Sequence, residues 1–304
     1  MDFYTNVCRT RDKILVKGYQ GKKQVQMSVD YRPNHYVPTK KPSAFKSLDG
    51  KNLEAVNLSS MGGARKFREK FAGTAGMEIH GYDRYIYTYI ADKFQGDIKY
   101  DPKVIKIATL DIECECEDGF PEPMQALEKV NAITIKPFRF MAHTFGIGPW
   151  DEAPANVHYH EAQDEKDLLE QFIKYWRKEK FDIITGWNVK FFDMPYLMNR
   201  FKHLMGEEWI NQFSPWGVVE QRTTRTTAKG YNREESFYDV LGVDVLDYLD
   251  LYRKHTFVRR ESYKLDHIGE VELGQNKLDN PYDTFKEFYS NDYQRFVEYN
   301  IQDV

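Results

Sequence analysis

Residues 104–120 read VIKIATLDIECECEDGF, and the fold turns on this stretch. Up to Leu110 it is largely apolar and reads as a buried strand. From Asp111 onward every second residue is acidic: Asp111, Glu113, Glu115 and Glu117, separated by Ile112, Cys114 and Cys116. Side chains on a strand alternate between faces, so Asp111 and Glu113 project from the same side. Composition alone makes such a pair unremarked: with 47 acidic residues in 304, about seven acid-x-acid pairs arise by chance. The position is what counts. The pair closes an apolar strand, and α/β sheets bind ligands at the carboxyl ends of their strands. Two carboxylates placed there repel unless a cation joins them or a proton neutralises one. Hard divalent cations with oxygen ligands suit such a pair. Glu115 and Glu117 read as a solvated strand end or turn.

Beyond this stretch, VNAITIKPFRFMAHTFGIG (130–148) reads as two strands with a turn near Pro137, and ANVHYHEA as another. DEKDLLEQFIKYWRKEK (164–180) is an amphipathic helix, with Leu168, Leu169, Phe172, Ile173 and Trp176 at helical spacing, acids first and bases last. FDIITGWN is a buried strand ending in a turn, and MPYLMNRFKHLMG a helix stopped by Gly206. VDVLDYLDLYRKH and SNDYQRFVEYNIQDV both read as helical. Early strands followed by alternating helices and strands imply an α/β core with a mixed sheet.

The first hundred residues differ in character and read as a small mixed α+β domain. NVCRTRDKILVKGYQGKKQVQMSVDY reads as short strands around a turn at Gly21. PNHYVPTKKPSAFKSLDGKN reads as irregular, MGGARKFREKFAG as a short basic helix, and RYIYTYIADKF, by its alternation, as a strand and turn. The boundary falls near GDIKYDPKVIK, giving domains of 1–102 and 103–304. Residues 1–100 carry 18 Lys and Arg against 10 Asp and Glu, whereas the remainder carries 25 against 37. This asymmetry points to a basic part that holds a polyanion beside an acidic part that holds cations. Three cysteines cannot form a disulfide framework. Cys114 and Cys116 lack a second pair at zinc spacing, and His158 and His160 fall on one strand face, so a closed four-ligand zinc site is not expected. The sequence shows neither a secretory signal nor an apolar run of membrane-spanning length, and no membrane partner is expected.

Two more acidic positions draw attention. In TGWNVKFFDMPYL, Asp193 lies just past a strand at the start of a helix, with Asn188 five residues before it. A bland alternative is an acid stabilising a helix N-terminus. In YNIQDV at the end of the chain, Tyr299 and Asp303 are i and i+4 and share a helix face. The alternative there is an exposed helix edge, with the core supplied by Tyr293, Phe296, Val297, Asn300, Ile301 and Val304.

Taken in order, DIE (111–113), NVKFFD (188–193) and YNIQD (299–303) resemble the three exonuclease motifs of family B DNA polymerases, in particular those of T-even-like bacteriophages. The resemblance spans essentially the whole chain, more loosely over the first hundred residues. It implies an RNase H-like mixed-sheet exonuclease domain and 3′→5′ proofreading hydrolysis of a primer end with two Mg²⁺ or Mn²⁺ ions, about 3.5–4 Å apart in such sites. It assigns Asp111, Glu113 and Asp303 to the ion that activates water, Asp111 and Asp193 to the ion that stabilises the leaving 3′-oxygen, and Tyr299 to orienting the water. Having Tyr four residues before the last Asp places the chain in the tyrosine subclass. Asn188 belongs to the second motif and is counted among the DNA contacts. Phe120, in GFPEP, matches a loop aromatic that contacts the single-stranded end, and a core role is the alternative. Lys277 matches a lysine near the scissile phosphate, with local spacing off by about one residue. Residues 222–238 fall where the family carries a hairpin that helps separate primer from template.

The partners so implied are a single-stranded or frayed primer 3′ end of DNA, palm, fingers and thumb domains in cis or as a separate chain, and replisome proteins, in the cytoplasm of an infected bacterial host. No palm motif such as DTDS occurs in the sequence, so polymerisation by this chain alone is not expected. The sequence stops one residue after Asp303, which suggests an exonuclease domain cut at its C-terminal end or half of a split polymerase. It also suggests that Asp303, in a final helical turn with nothing to pin it, holds metal less well than Asp111, Glu113 and Asp193. Two other functions fit the same residues: a catalytically idle nucleic-acid-binding module, and an RNA exonuclease of the same subclass.

Overall fold

The computed structural model describes residues 1–116, 119–150, 153–228 and 231–304. Glu117, the last acid of the alternating run, and Lys229 and Gly230, within the expected hairpin, lie outside the described residues. The chain divides into two compact units, Met1–Val104 and Ile105–Val304. Among the described residues no helix is long and apolar enough to cross a membrane.

The first unit is β-rich. Strands β1 (Phe3–Arg9), β2 (Ile14–Gln20) and β3 (Lys23–Val29) form an antiparallel sheet. Gly21, at φ 56°, makes the tight turn between β2 and β3, a conformation that glycine adopts without a Cβ clash. Strands β4 (Asn34–Pro38), β5 (Phe45–Lys46) and β6 (Asn52–Asn57) form a second sheet in the order β4-β6-β5. The segment read as irregular therefore contributes two strands, both paired to β6, which the local Pro-Lys-Ser composition conceals. Helix α1 (Met61–Phe71) opens with the Ser60 hydroxyl accepting from the Gly63 N–H at 3.0 Å.

Helix α2 (Tyr85–Lys93) overturns the strand expected from alternation. Tyr85 and Tyr89, one helical turn apart, are both 4% exposed and pack with Ile14 and Val16, while Tyr87 between them is exposed. The helical spacing of the two buried rings prevailed over the β-propensity of the aromatic residues.

The second unit is built on a six-stranded mixed sheet. It comprises β7 (Ile107–Cys114), β8 (Val130–Pro137), β9 (Ala142–Ile147), β10 (Val157–Ala162), β11 (Ile183–Gly186) and β14 (Asp244–Asp247), in the order β10-β9-β8-β7-β11-β14. Between the last two in sequence, β12 (Val219–Ala228) and β13 (Tyr231–Val240) pair as a separate antiparallel hairpin. β7 is antiparallel to β8 and parallel to β11. The helices are α3 (Glu165–Glu179), α4 (Asp193–Met205), α5 (Tyr248–His255), α6 (Leu265–Leu273), α7 (Phe285–Asn291) and α8 (Tyr293–Gln302).

The expected helix over 243–255 begins five residues late, at Tyr248, because 244–247 pair with β11 instead. The one expected over 290–304 is interrupted at Asp292, whose carboxylate accepts from the Arg295 N–H and caps α8.

Two apolar layers sandwich the sheet. Ala108, Leu110, Ile112 and Cys114 of β7 pack with Leu168, Phe172, Tyr196 and Phe201 of α3 and α4. On the other face Ala132 and Ala142 pack with Phe288, Phe296 and Val297 of α7 and α8. A buried ion pair joins the first layer. Arg200 of α4 grips Glu165 of α3 through two bonds of 2.6 and 2.7 Å, and Glu165 also accepts from the Val130 N–H at 2.8 Å. Removing one partner of such a pair leaves the other charge buried alone, at about 3–5 kcal/mol. Glu165→Ala is therefore expected to lower the urea-unfolding free energy by that amount at neutral pH. A loss below about 1 kcal/mol would show that Arg200 finds solvent when Glu165 is gone.

Candidate active site

The strand period places Asp111 and Glu113 on the α8 face of β7, opposite its apolar side chains. Both keep a little accessible surface at a cleft mouth, yet protein surrounds them on nearly every side. β11 pairs with β7 only as far as Thr109, so past that point the backbone of β7 on that side has no strand partner among the described residues. Asp193, first residue of α4 and 2% exposed, fills the gap, its Oδ1 accepting from the Ile112 N–H at 3.1 Å.

The approach of α4 requires Gly186, since a Cβ there would lie 2.5 Å from the Leu110 carbonyl oxygen. The following turn contains Asn188 at φ 64°, a left-handed conformation that asparagine tolerates better than most residues. Asp247, 4% exposed at the end of β14, holds that turn: its carboxylate accepts from the N–H groups of Asn188 (3.2 Å), Lys190 (3.1 Å) and Leu249 (2.9 Å).

Across the cleft, α8 presents Tyr299, Asn300 and Asp303. The Tyr293 hydroxyl fixes the start of this helix, donating to the Asn131 carbonyl at 2.9 Å and accepting from the Ile147 N–H. Asn300 is fully buried, and its Nδ2 donates to Asp111 Oδ2 at 2.7 Å. Carboxylate oxygens of Asp111, Glu113 and Asp303 all lie within 4.8 Å of one another. The Lys277 ammonium forms an ion pair with Asp303, donates to the Tyr299 hydroxyl at 3.4 Å and lies over the Tyr299 ring, 4.7 Å from its centre. Asp266 orients Lys277 by accepting from its backbone N–H at 2.9 Å. The cleft has a volume of about 920 Å³, and Asp111, Glu113, Lys277, Tyr299 and Asp303 line it together with Phe120, Asn188, Phe192 and Arg253. Phe120, 82% exposed, leans on Phe192 with ring centres 5.0 Å apart.

Burial raises every one of the four carboxyls. Asp111 lies well above the usual carboxylate range, through desolvation first and then the charges of Asp193, Glu113 and Asp303. Glu113 is pushed up to about 8 by desolvation, against the pull of Lys277. Asp193 rises to about 7 by desolvation, partly offset by its backbone hydrogen bonds. Asp303 rises by burial although Lys277 opposes it. Burial would lower Lys277, but Asp303 outweighs it and the ammonium is held above its ordinary value. Burial likewise raises Tyr299, keeping the phenol protonated near neutrality.

The structure thus brings Asp111, Glu113, Asp303, Tyr299 and Lys277 into one cluster, with Asp193 close enough for its charge to act on Asp111. Asn188 and Phe120 line the cleft farther out. Asp303 is not loosely held: Lys277 clasps it, and its side chain is 6% exposed. The three carboxylates that converge are those of Asp111, Glu113 and Asp303. Asn300, Asp247 and Asp266 escaped the sequence reading. Asn300 was read as a core position, and no local signal marks any of them as a partner of residues 11 to 189 positions away. Of the hairpin expected over 222–238, the paired strands are Val219–Ala228 and Tyr231–Val240.

Residues 81–268 match the family model described as DNA polymerase family B, exonuclease domain. The chain is 31% identical over its whole length to the DNA-directed DNA polymerase of Enterobacteria phage T4 and 30% identical to that of Escherichia phage RB69. It spans 36% of each of those enzymes. Over 56% of its length it is 26% identical to the DNA polymerase catalytic subunit of Epstein-Barr virus (strain B95-8), covering 17% of that protein.

Two outcomes follow from this geometry. A carboxyl whose pKa is raised on folding stabilises the fold below its unfolded value, and that stabilisation is lost as pH rises through the folded value. For Glu113 and Asp193 the window runs from about pH 4 to about pH 8. Each pH unit over which one such carboxyl stays protonated only in the folded state is worth about 1.4 kcal/mol. Metal-free protein is therefore expected to lose melting temperature from pH 5.5 to pH 8, and saturating Mg²⁺ or Mn²⁺ to restore more at pH 8 than at pH 5.5. A metal-induced gain that does not change with pH would contradict this. Asn300→Ala removes the donor that orients Asp111 and should weaken Mn²⁺ binding about 10-fold or more. An unchanged titration midpoint would mean that backbone geometry alone orients Asp111.

Proposed function

This chain belongs to the family B DNA polymerases, and from that premise we propose that it carries out metal-dependent 3′→5′ hydrolysis of a DNA strand end, the proofreading reaction. The observation that carries this reading is the convergence of Asp111, Glu113 and Asp303 within 4.8 Å on one sheet face, beside Asp193. Four desolvated carboxyls close together are stabilised by an oxygen-seeking divalent cation, so the donor set fits Mg²⁺ or Mn²⁺. Asp111, Glu113 and Asp303 would hold one ion, and Asp111 and Asp193 a second. Such ions, when bound, supply an activated water and charge stabilisation for the leaving 3′-oxygen.

The remaining roles belong to the chain's own side chains. Tyr299, kept protonated, donates a hydrogen bond to the attacking water. Asn300 holds the Asp111 carboxylate in one orientation. Lys277 supplies a positive charge to the scissile phosphate, at a position where it already neutralises Asp303. Phe120, largely exposed at the rim, offers a stacking face to an unpaired base, and Asn188 contacts the strand from the turn that Asp247 fixes. The hairpin of β12 and β13 helps part primer from template, and the basic first hundred residues hold polyanion. The natural setting is a whole polymerase, with palm, fingers and thumb in cis or on a separate chain, replisome partners and an infected bacterial cytoplasm.

Asp111→Ala with Glu113→Ala removes two ligands and should lower excision of a 3′-labelled single strand by at least about 10²-fold. Parent-level excision by the double variant would refute the site assignment. Binding of the strand without cleavage by the parent protein at any Mg²⁺ or Mn²⁺ concentration would favour the idle binding module, whose motive is the net positive charge of residues 1–100. Faster cleavage of a matched RNA strand would favour the RNA exonuclease.

A further inference from the structure

On the far side of the sheet from the carboxylates, three histidines meet. β10 is the outermost strand, parallel to β9, with His158 beside His143 and His160 beside Phe145. In-register neighbours on parallel strands point to the same side, and His158 and His160 are two apart, so all three imidazoles emerge together. Their ring centres are 5.3 Å apart for His143–His158, 5.3 Å for His143–His160 and 4.5 Å for His158–His160. His143 Nδ1 and His160 Nε2 lie 3.0 Å apart. Phe145 stacks on His160 at 4.4 Å and Tyr175 of α3 packs on His143 at 4.2 Å, fixing two of the rings from behind. His158 is exposed, so the cluster opens to solvent.

We infer that His143, His158 and His160 form a binding site for a borderline divalent cation of the zinc, nickel or copper class. Imidazole nitrogens prefer these ions to Mg²⁺ or Ca²⁺, which seek oxygen. A nitrogen pair 3.0 Å apart is a few tenths of an ångström short of the separation of two tetrahedral zinc ligands with metal–nitrogen bonds of about 2.0–2.1 Å, so a small opening of the pair admits the ion, which replaces the hydrogen bond between them. Burial, then the neighbouring histidines, keep His143 and His160 below the ordinary histidine range, so both are neutral ligands at pH 7 without proton competition. Among the described residues only Asp111, Glu113 and Asp303 already converge within 4.8 Å. The third nitrogen therefore arrives by rotation of the exposed His158 side chain. The site lies three strands from β7, about 14 Å by strand spacing, and its nitrogen donors set it apart chemically from the carboxylate cluster.

The test is calorimetric titration of chelator-treated protein without a histidine tag, using Zn²⁺ alone, with Co²⁺ absorption reporting nitrogen coordination. In the Asp111→Ala, Glu113→Ala background, which lacks the carboxylate site, one equivalent of Zn²⁺ should bind in the micromolar range and resist millimolar Mg²⁺. Adding His158→Ala, a change at an exposed side chain that leaves the core intact, should weaken binding roughly ten-fold or more. Binding no tighter than millimolar in that background overturns the inference, as does Zn²⁺ affinity that His158→Ala leaves unchanged.

Discussion

The carboxylates that β7 carries into the covered α8 face of the sheet impose the constraint around which the second unit is organised. A strand in the middle of a six-stranded sheet has helices on both sides, and Asp111 and Glu113 occupy positions where apolar residues would pack most simply. Their charges are poorly solvated there, and each raises the cost of ionising the others. The surrounding groups answer that cost. Asn300 donates to Asp111, Lys277 pairs with Asp303, and the Ile112 N–H bonds to Asp193. What these bonds leave uncompensated is the mutual repulsion that the proposed cation would relieve.

Three separate pieces of chain must be held in register to keep that cluster together. The Tyr293 hydroxyl pins the start of α8 to the backbones of β8 and β9. Asp247 fastens the turn that leads into α4, and Gly186 permits that turn to pass against β7. Asp266 sets the backbone of Lys277. None of these residues is a candidate ligand. Tyr293, Asp247 and Gly186 position segments that carry a candidate ligand, and Asp266 positions the lysine that pairs with one; small displacements of a ligand are costly in such sites.

Much of this was legible before the structure. A period of two predicted that Asp111 and Glu113 share a face, and an i, i+4 spacing predicted that Tyr299 and Asp303 do. The apolar runs around them announced a mixed sheet with helices. What could not be read depends on contacts between distant segments. Asn300 meets Asp111 across 189 positions, and nothing local distinguishes it from an ordinary core asparagine. Lys277 fell in a polar stretch, and its grip on Asp303 reversed the expectation that the terminal aspartate is loosely held. Tyr85–Tyr89 misled because aromatic alternation imitates a strand until one knows which rings are buried. His143 drew no attention beside His158 and His160, since only the parallel register of β9 and β10 joins them.

The central claim is that the folded chain holds its carboxyl cluster partly protonated near neutral pH, in readiness for a divalent cation. The direct measurement is a carbon-13 NMR titration of the Glu113 and Asp193 side-chain carboxyls in metal-free protein, repeated with saturating Mg²⁺. The account predicts midpoints near neutrality without metal, close to the values of about 8 and about 7 that burial imposes, and a fall below about pH 5 when Mg²⁺ is present. Metal-free midpoints near pH 4, unmoved by Mg²⁺, would contradict it.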